Sequence, residues 1–181
     1  MKYYIEYYCG SDIGINRKEN QDNYICAGKS RTDESPVKGA FWTGFQVFGV
    51  FDGMGGEKCG REAAQIAADT AEGCSFKGDT EKKLIGFCEL ANDRICGFAE
   101  KHGISSMGTT AAMLCFAKNR IYICNIGDSR IYRISDGKIT QLSVDHVVSY
   151  GTYKHKPPLS QNLGIPKEEM LIQPYISSDS Y

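Results

Sequence analysis

The sequence predicts an α+β fold in which antiparallel strands do most of the backbone pairing and two helices cover one face. Three observations predict it. Runs rich in aromatic and β-branched residues occur towards both ends of the chain, two long segments between them repeat apolar residues at the helical period, and tight turns join the later strands.

Taken in order, residues 3–9 (YYIEYYC) are aromatic-rich and read as a first strand, and residues 22–27 as a second. The stretch 29–44 (KSRTDESPVKGAFWTG) is polar and rich in turn residues, which predicts a loop. Residues 46–51 (QVFGVF) form a short apolar run that ends at Asp52, the pattern of a buried strand. In residues 57–74, Ala63, Ala64, Ala67, Ala71 and Cys74 recur near the helical period; in 80–101, Leu84, Phe87, Cys88, Ala91, Ile95, Phe98 and Ala99 do the same. His102-Gly103 supplies a stop, with Lys101 well placed in the last turn. Strands resume at Thr109–Ala117, Arg120–Ile126 and 130–135. Lys118-Asn119 can turn the first into the second, and Asp136-Gly137 is a two-residue hairpin turn joining 131–135 to 138–142.

Composition bounds the function classes. The chain has 181 residues, the size of one ordinary domain, with 41% hydrophobic and 24% charged residues, as expected for a soluble globular protein. Its 21 Lys and Arg nearly balance its 22 Asp and Glu, so no bulk charge draws it to nucleic acid or to an anionic membrane. No apolar stretch approaches the length of a membrane span, and the N-terminus has no apolar signal core. Eight cysteines are present without a C-x-x-C pair, and the three histidines do not sit at zinc-like offsets from them. The expectation is free thiols in a reducing compartment, hence a cytoplasmic protein.

Three clusters could carry chemistry. Asp52-Gly53-Met54-Gly55-Gly56 follows the buried strand, which would hold a carboxylate rigidly yet facing solvent; carboxylate and carbonyl oxygens are what hard cations such as Mg²⁺ or Mn²⁺ take. Alone, the pentapeptide serves equally as a strand-to-helix turn with Asp52 as N-cap. Arg17, Asn20, Gln21 and Asp22 place a guanidinium fork five residues before a carboxylate, although alone they suit a solvated charged loop. Asn125-Ile126-Gly127-Asp128-Ser129-Arg130 lies between apolar strands, where an Asp is usually turn chemistry.

The order of these clusters changes their meaning. RxxNQD comes first, then the strand ending in DGMGG, then Ser106-Met107-Gly108-Thr109-Thr110-Ala111, then NIGDSRIY, then LSVDH at 142–146. This series resembles the metal-dependent protein phosphatases, the PPM or type 2C serine/threonine phosphatases, in their bacterial style. The resemblance implies two antiparallel sheets packed face to face and flanked by helices. It implies two Mn²⁺ or Mg²⁺ ions, with a possible third, that share a bridging water, which attacks the phosphorus of phosphoserine or phosphothreonine in line. Position by position, Asp52 is similar to the bridging carboxylate, Gly53 offers its carbonyl to one metal, and Asp22 holds a metal-bound water. Arg17 grips the substrate phosphate, and Asp128 looks like the ligand of a third, weaker metal. Gly108 and Thr109 correspond to structural residues beside the site, and Asp145-His146 to a structural turn.

The sequence also departs from the family. Met54 stands where animal members carry a histidine proposed as general acid, so no general acid is assigned. Only twelve residues (VVSYGTYKHKPP) separate His146 from Leu159, fewer than the family's usual flap, and Leu159–Gly164 resembles the stretch that follows it. The chain reaches Tyr181 before the family's two later metal-binding aspartates, and Asp179 lacks the apolar strand and following glycine that would mark it as one of them. The expectation is one domain over residues 1–181, spanning about the first two-thirds to three-quarters of the family domain and incomplete at its C-terminus. Two functions follow from it. One is metal-dependent hydrolysis of phosphoserine and phosphothreonine in proteins, weak or absent in a truncated chain. The other is a non-catalytic, phosphatase-like regulatory or phosphoprotein-binding module. Phosphoprotein substrates and a cognate serine/threonine kinase are the expected partners of a monomer.

Overall fold

An eleven-residue strand organises the computed structural model, which describes residues 2–30, 35–55, 59–117, 119–148, 157–169 and 172–180. The elements run β1 (Tyr3–Cys9), β2 (Asp22–Cys26), β3 (Lys29–Ser30), β4 (Val37–Thr43) and the long β5 (Phe45–Gly55). Helices α1 (Cys59–Gly73) and α2 (Thr80–His102) follow. The chain then returns to strands: β6 (Met107–Thr109), β7 (Ala111–Ala117), β8 (Arg120–Ile126), β9 (Tyr132–Ser135), β10 (Lys138–Gln141) and β11 (Tyr175–Ser180). The main sheet has seven strands in the order β11-β8-β7-β5-β2-β3, with β6 also paired to β5; β1–β4 and β9–β10 are separate antiparallel pairs.

Alternation along β5 and β7 sorts residues between two faces. Val47, Phe51, Ala111, Met113 and Cys115 join the core beneath the helices. Helix α1 meets that core with Ala63, Ala64, Ala67, Ala68 and Ala71, side chains small enough to bring the helix backbone close to the sheet. Helix α2 adds larger groups: Phe87 lies between Phe51 and Phe76, at centroid distances of 6.3 and 5.9 Å. Its N-cap Asp79 accepts from the Lys82 amide, and Gly103 closes the other end at φ +64°, as the His102-Gly103 stop predicts. On the opposite face, Tyr7 meets Phe48 at 5.5 Å and Tyr3 meets Phe116 at 6.1 Å, so the β1–β4 pair forms a second β layer over the main sheet. Among the described residues the layers are helix pair, main sheet and β1–β4.

Several expectations change. Residues 29–44 are not all loop, since β3 and β4 lie inside them. Ser30 donates its amide to Glu72 at 2.8 Å and Lys29 pairs with the same carboxylate at 2.9 Å, which pins β3 to α1. β4 is hidden in the sequence by Gly39, yet Gly39 is paired with Tyr7, whose ring lies where a Cβ would stand. The strand expected over Thr109–Ala117 is broken at Thr110 into β6 and β7. A polar strand, β11, includes Asp179 because it pairs with β8 at the sheet edge, where an apolar pattern is not required. Gly56, residues 57–58 of the first predicted helix, Lys118 of the predicted turn and residues 149–156 of the shortened segment lie outside the described residues.

Residues 159–164 dock back onto the sheet. Thr109 and Leu163 exchange two backbone hydrogen bonds of 2.9 Å, and Leu163 is fully buried. Buried Asn92 on α2 holds the next step, accepting from the amides of Gly164 (2.8 Å) and Ile165 (3.0 Å) and donating to the Ile165 carbonyl (2.9 Å). Asn92→Ala removes three hydrogen bonds and strands two amides, so it should cost about 2–4 kcal/mol, read from urea denaturation. A loss under about 0.5 kcal/mol would mean that water replaces the amide at no cost.

Candidate active site

The carboxylates meet because of strand register. Asp22 opens β2 directly opposite Asp52 in antiparallel β5, so the two side chains share the face turned away from the helices. Asp52 is held at its backbone: Thr110 donates its amide to the Asp52 carbonyl (2.9 Å), Thr109 Oγ1 donates to the same oxygen (3.0 Å), and the Asp52 amide donates to Thr110 Oγ1 (3.1 Å). Both side chains border a polar cleft of about 200 Å³ that also takes in Asp12, Arg17, Glu19, Asn20 and Gly53.

The loop carrying Arg17 is tied at several points. Asn20 donates to Ser11 Oγ (2.8 Å) and accepts from the Asp22 amide (3.0 Å), Gly53 donates its amide to the Gln21 carbonyl (3.2 Å), and Glu19 pairs with Arg61 of α1 at 3.1 Å. Arg17 itself is exposed at the cleft. Gly53 permits the closest contact: a Cβ there would overlap the carbonyl oxygens of Gly60 and Gln21. The reciprocal position, Gly60 in the first turn of α1, would bring its own Cβ to 2.9 Å from the Gly53 carbonyl group.

Burial raises the Asp22 carboxyl from 3.8 to about 6, and the neighbouring charge of Asp52 and a hydrogen bond with it add to the rise; Arg17 opposes them. Both aspartates still reach solvent, so water screens part of this repulsion.

The other sequence-predicted residues are farther along the same face. The turn carrying Asp128 reaches the site through Ser129, which lines a 330 Å³ cleft together with Asp22 and Asp52; Asp128 itself is half-buried. His146 closes that turn: its Nδ1 accepts from the Gly127 amide (3.1 Å) and its own amide donates to the Gly127 carbonyl (2.9 Å). Asp145 binds Arg130 with two oxygens, at 2.8 and 3.1 Å to Nε. Both are turn-forming contacts. Gly108 packs tightly against Asn162 and Leu163 beside the site, and Met54 lies opposite Gly108 in the β5–β6 pairing. Sequence reading did not single out Gly60, Asn92, Thr110 or Ser129 for these contacts.

Carboxylate and carbonyl oxygens suit a hard divalent cation, and Asp12, Glu19, Asp22, Asp52 and Gly53 bring such oxygens to one cleft. The fit is that of part of a coordination shell, because no three His, Cys, Asp or Glu side chains converge among the described residues. One consequence is measurable in the metal-free protein. The folded state binds a proton at Asp22 that the unfolded chain has lost between about pH 4 and 6, so stability falls as pH rises through that window. Asp22→Asn should remove this slope in urea titrations. Asp52→Asn should move the Asp22 titration, followed by carboxyl NMR, below about 6; an unmoved titration would assign the whole rise to burial.

Comparison with known proteins gives the site its context. The family model for Protein phosphatase 2C matches residues 10–150. The chain is 30% identical over 145 residues to the serine/threonine protein phosphatase PstP of Mycobacterium tuberculosis, covering 78% of this chain and 25% of that protein. It is 28% identical over 144 residues to the protein phosphatase PhpP of Streptococcus pneumoniae, covering 75% of this chain and 53% of PhpP. The chain thus spans about a quarter of the length of the mycobacterial relative and about half of the pneumococcal one. Among solved structures, PppA, a regulatory component of the T6SS in Pseudomonas aeruginosa, superposes with a TM-score of 0.76 at 22% identity, over 98% of this chain and 72% of that one. The catalytic domain of PstP in complex with two manganese ions superposes at 0.73 and 22% identity, over 99% and 74%. These structures share its fold of antiparallel sheets and helices, and the matched residues contain every motif from Arg17 to His146: the chain belongs to the protein phosphatase 2C family.

Proposed function

We propose that the chain hydrolyses phosphoserine and phosphothreonine in proteins with divalent cations held at the Asp22–Asp52 cleft. The cross-strand carboxylate pair beside Arg17 carries this reading, together with family membership. Asp52 and the Gly53 carbonyl would be the direct ligands, Asp22 would act through a water, and Asp128 would take a further, weaker ion. Mn²⁺ or Mg²⁺ bound there supplies Lewis-acid activation of water at neutral pH.

The protein's own groups orient the phosphate. Arg17 presents a fixed fork of N–H donors to two phosphate oxygens. It borders the same cleft as the carboxylate pair, where it can face a phosphate. The Gly53–Gln21 hydrogen bond and the Asn20 contacts keep the Arg17 loop at a constant distance from Asp52. The Met54 thioether has no proton to give, so no side chain is assigned the role of protonating the leaving group. The substrates are cytoplasmic phosphoproteins, with the targets of a cognate serine/threonine kinase foremost, and residues 1–181 act within one phosphatase domain as a monomer. The names of PstP, a serine/threonine protein phosphatase, and PhpP, a protein phosphatase, support phosphoproteins as the substrate class.

Manganese-dependent release of phosphate from a phosphothreonine peptide tests the reading. Arg17→Ala should raise KM ~10–100-fold with a smaller change in kcat, because it removes a charge-assisted contact to the bound phosphate. Asp52→Asn should abolish both turnover and calorimetric Mn²⁺ binding. Binding of the phosphopeptide without turnover, unchanged by Asp52→Asn, would instead establish a non-catalytic phosphoprotein-binding module.

A further inference from the structure

Thr110 sits at the break between β6 and β7 and is 1% exposed. Its hydroxyl accepts from the Asp52 amide at 3.1 Å and is 2.6 Å from Ser129 Oγ, in the turn that carries Asp128. Its methyl group lies where a Cβ on Gly127 would have to go, so the same side chain also seats the start of that turn. Gly127 has φ +96°, and a residue with a Cβ would meet both backbone strain and the Thr110 side chain. Thr110 therefore touches Asp52 on one side and the Asp128 turn on the other. The contact is polar where packing alone would be served by valine.

We propose that Thr110 and Ser129 are positioning residues whose hydroxyl bridge couples the Asp128 turn to the backbone of Asp52, so that the turn and the Asp52 position keep one spacing. Its consequence for cation binding rests on the phosphatase reading; the mechanical coupling does not. Thr110 is buried behind the cleft, and Ser129 lines it beside Asp22 and Asp52. Thr110 Oγ1 accepts the Asp52 N–H and is hydrogen-bonded to Ser129 Oγ, so removing either hydroxyl cuts the link while leaving the strand pairing of β5 intact.

Four variants test it: Thr110→Val, which keeps the shape; Thr110→Ser, which keeps the hydroxyl; Ser129→Ala; and the Thr110→Val/Ser129→Ala double. In the metal-free protein, Asp52→Asn should shift the amide NMR resonances of residues 127–130 in the wild-type and Thr110→Ser backgrounds. The shift should fall by about half or more in Thr110→Val and Ser129→Ala. Calorimetric Mn²⁺ affinity should fall ~3–10-fold in each of those two, no further in the double variant, and remain near wild type in Thr110→Ser. An undiminished amide response in folded Thr110→Val, or losses that add in the double variant, would overturn the coupling. If Thr110→Val does not fold, Ser129→Ala decides alone, because its side chain lies in the turn rather than in the strand. A wild-type protein that binds no Mn²⁺ but transmits the amide shift would sink the phosphatase reading and leave the coupling standing.

Discussion

Two carboxylates placed face to face across a pair of strands repel each other, and the rest of the site is arranged around that contact. The β2–β5 register sets it, and the register is in turn held by burial: Tyr24 and Ile25 of β2 and Val47 and Phe51 of β5 are all nearly inaccessible. A slip of one residue would turn Asp22 towards the helix face and bury its charge among the alanines of α1, a cost of several kcal/mol. The hydrophobic pattern of two strands thus enforces a polar juxtaposition that is unfavourable by itself. What relieves it, in the metal-free protein, is a proton near pH 6 and the nearby Arg17.

The faces of the main sheet divide the work. The helix side is closed by small and aromatic groups and contains the buried thiols Cys88 and Cys124, 3.5 Å apart. The other side carries Phe48, Val50 and Asp52 in succession, so the apolar contacts with β1 and the start of the polar cleft lie on one strand. Because β5 continues through Asp52 to Gly55 instead of ending at the aspartate, its last residues pair with β6 and bring Thr109 and Thr110 to the Asp52 backbone. A single long strand is therefore both the centre of the core and the wall of the cleft.

Much of this was legible in the sequence. The helices, the β8 strand and the hairpin around Asp136-Gly137 follow from periodicity and turn chemistry, which act locally. The order of the motifs pointed to Arg17, Asp22, Asp52 and Gly53, and the fold brings all four to one cleft. β4 was illegible because its glycine is completed by Tyr7, a residue 32 positions away along the chain. Asn92 was illegible for a related reason. It occupies a position in α2 that looks like ordinary helix, and its partners at 164–165 are distant in sequence. Thr110 was read as part of a continuous strand, and only the third dimension shows that a hydroxyl there meets both Asp52 and Ser129.

The contact of Gly53 with Gly60 has a consequence for how this protein can vary. Where side chains separate two elements, substitutions on either can widen or narrow the gap between them. Here the strand and the first turn of α1 touch backbone to backbone, already at the limit of approach. The helix therefore acts as a mechanical stop for the strand, and an outward residue such as Glu62 is free to change without altering the width of the cleft. Surface chemistry around the mouth can drift while the dimensions of the site stay constant.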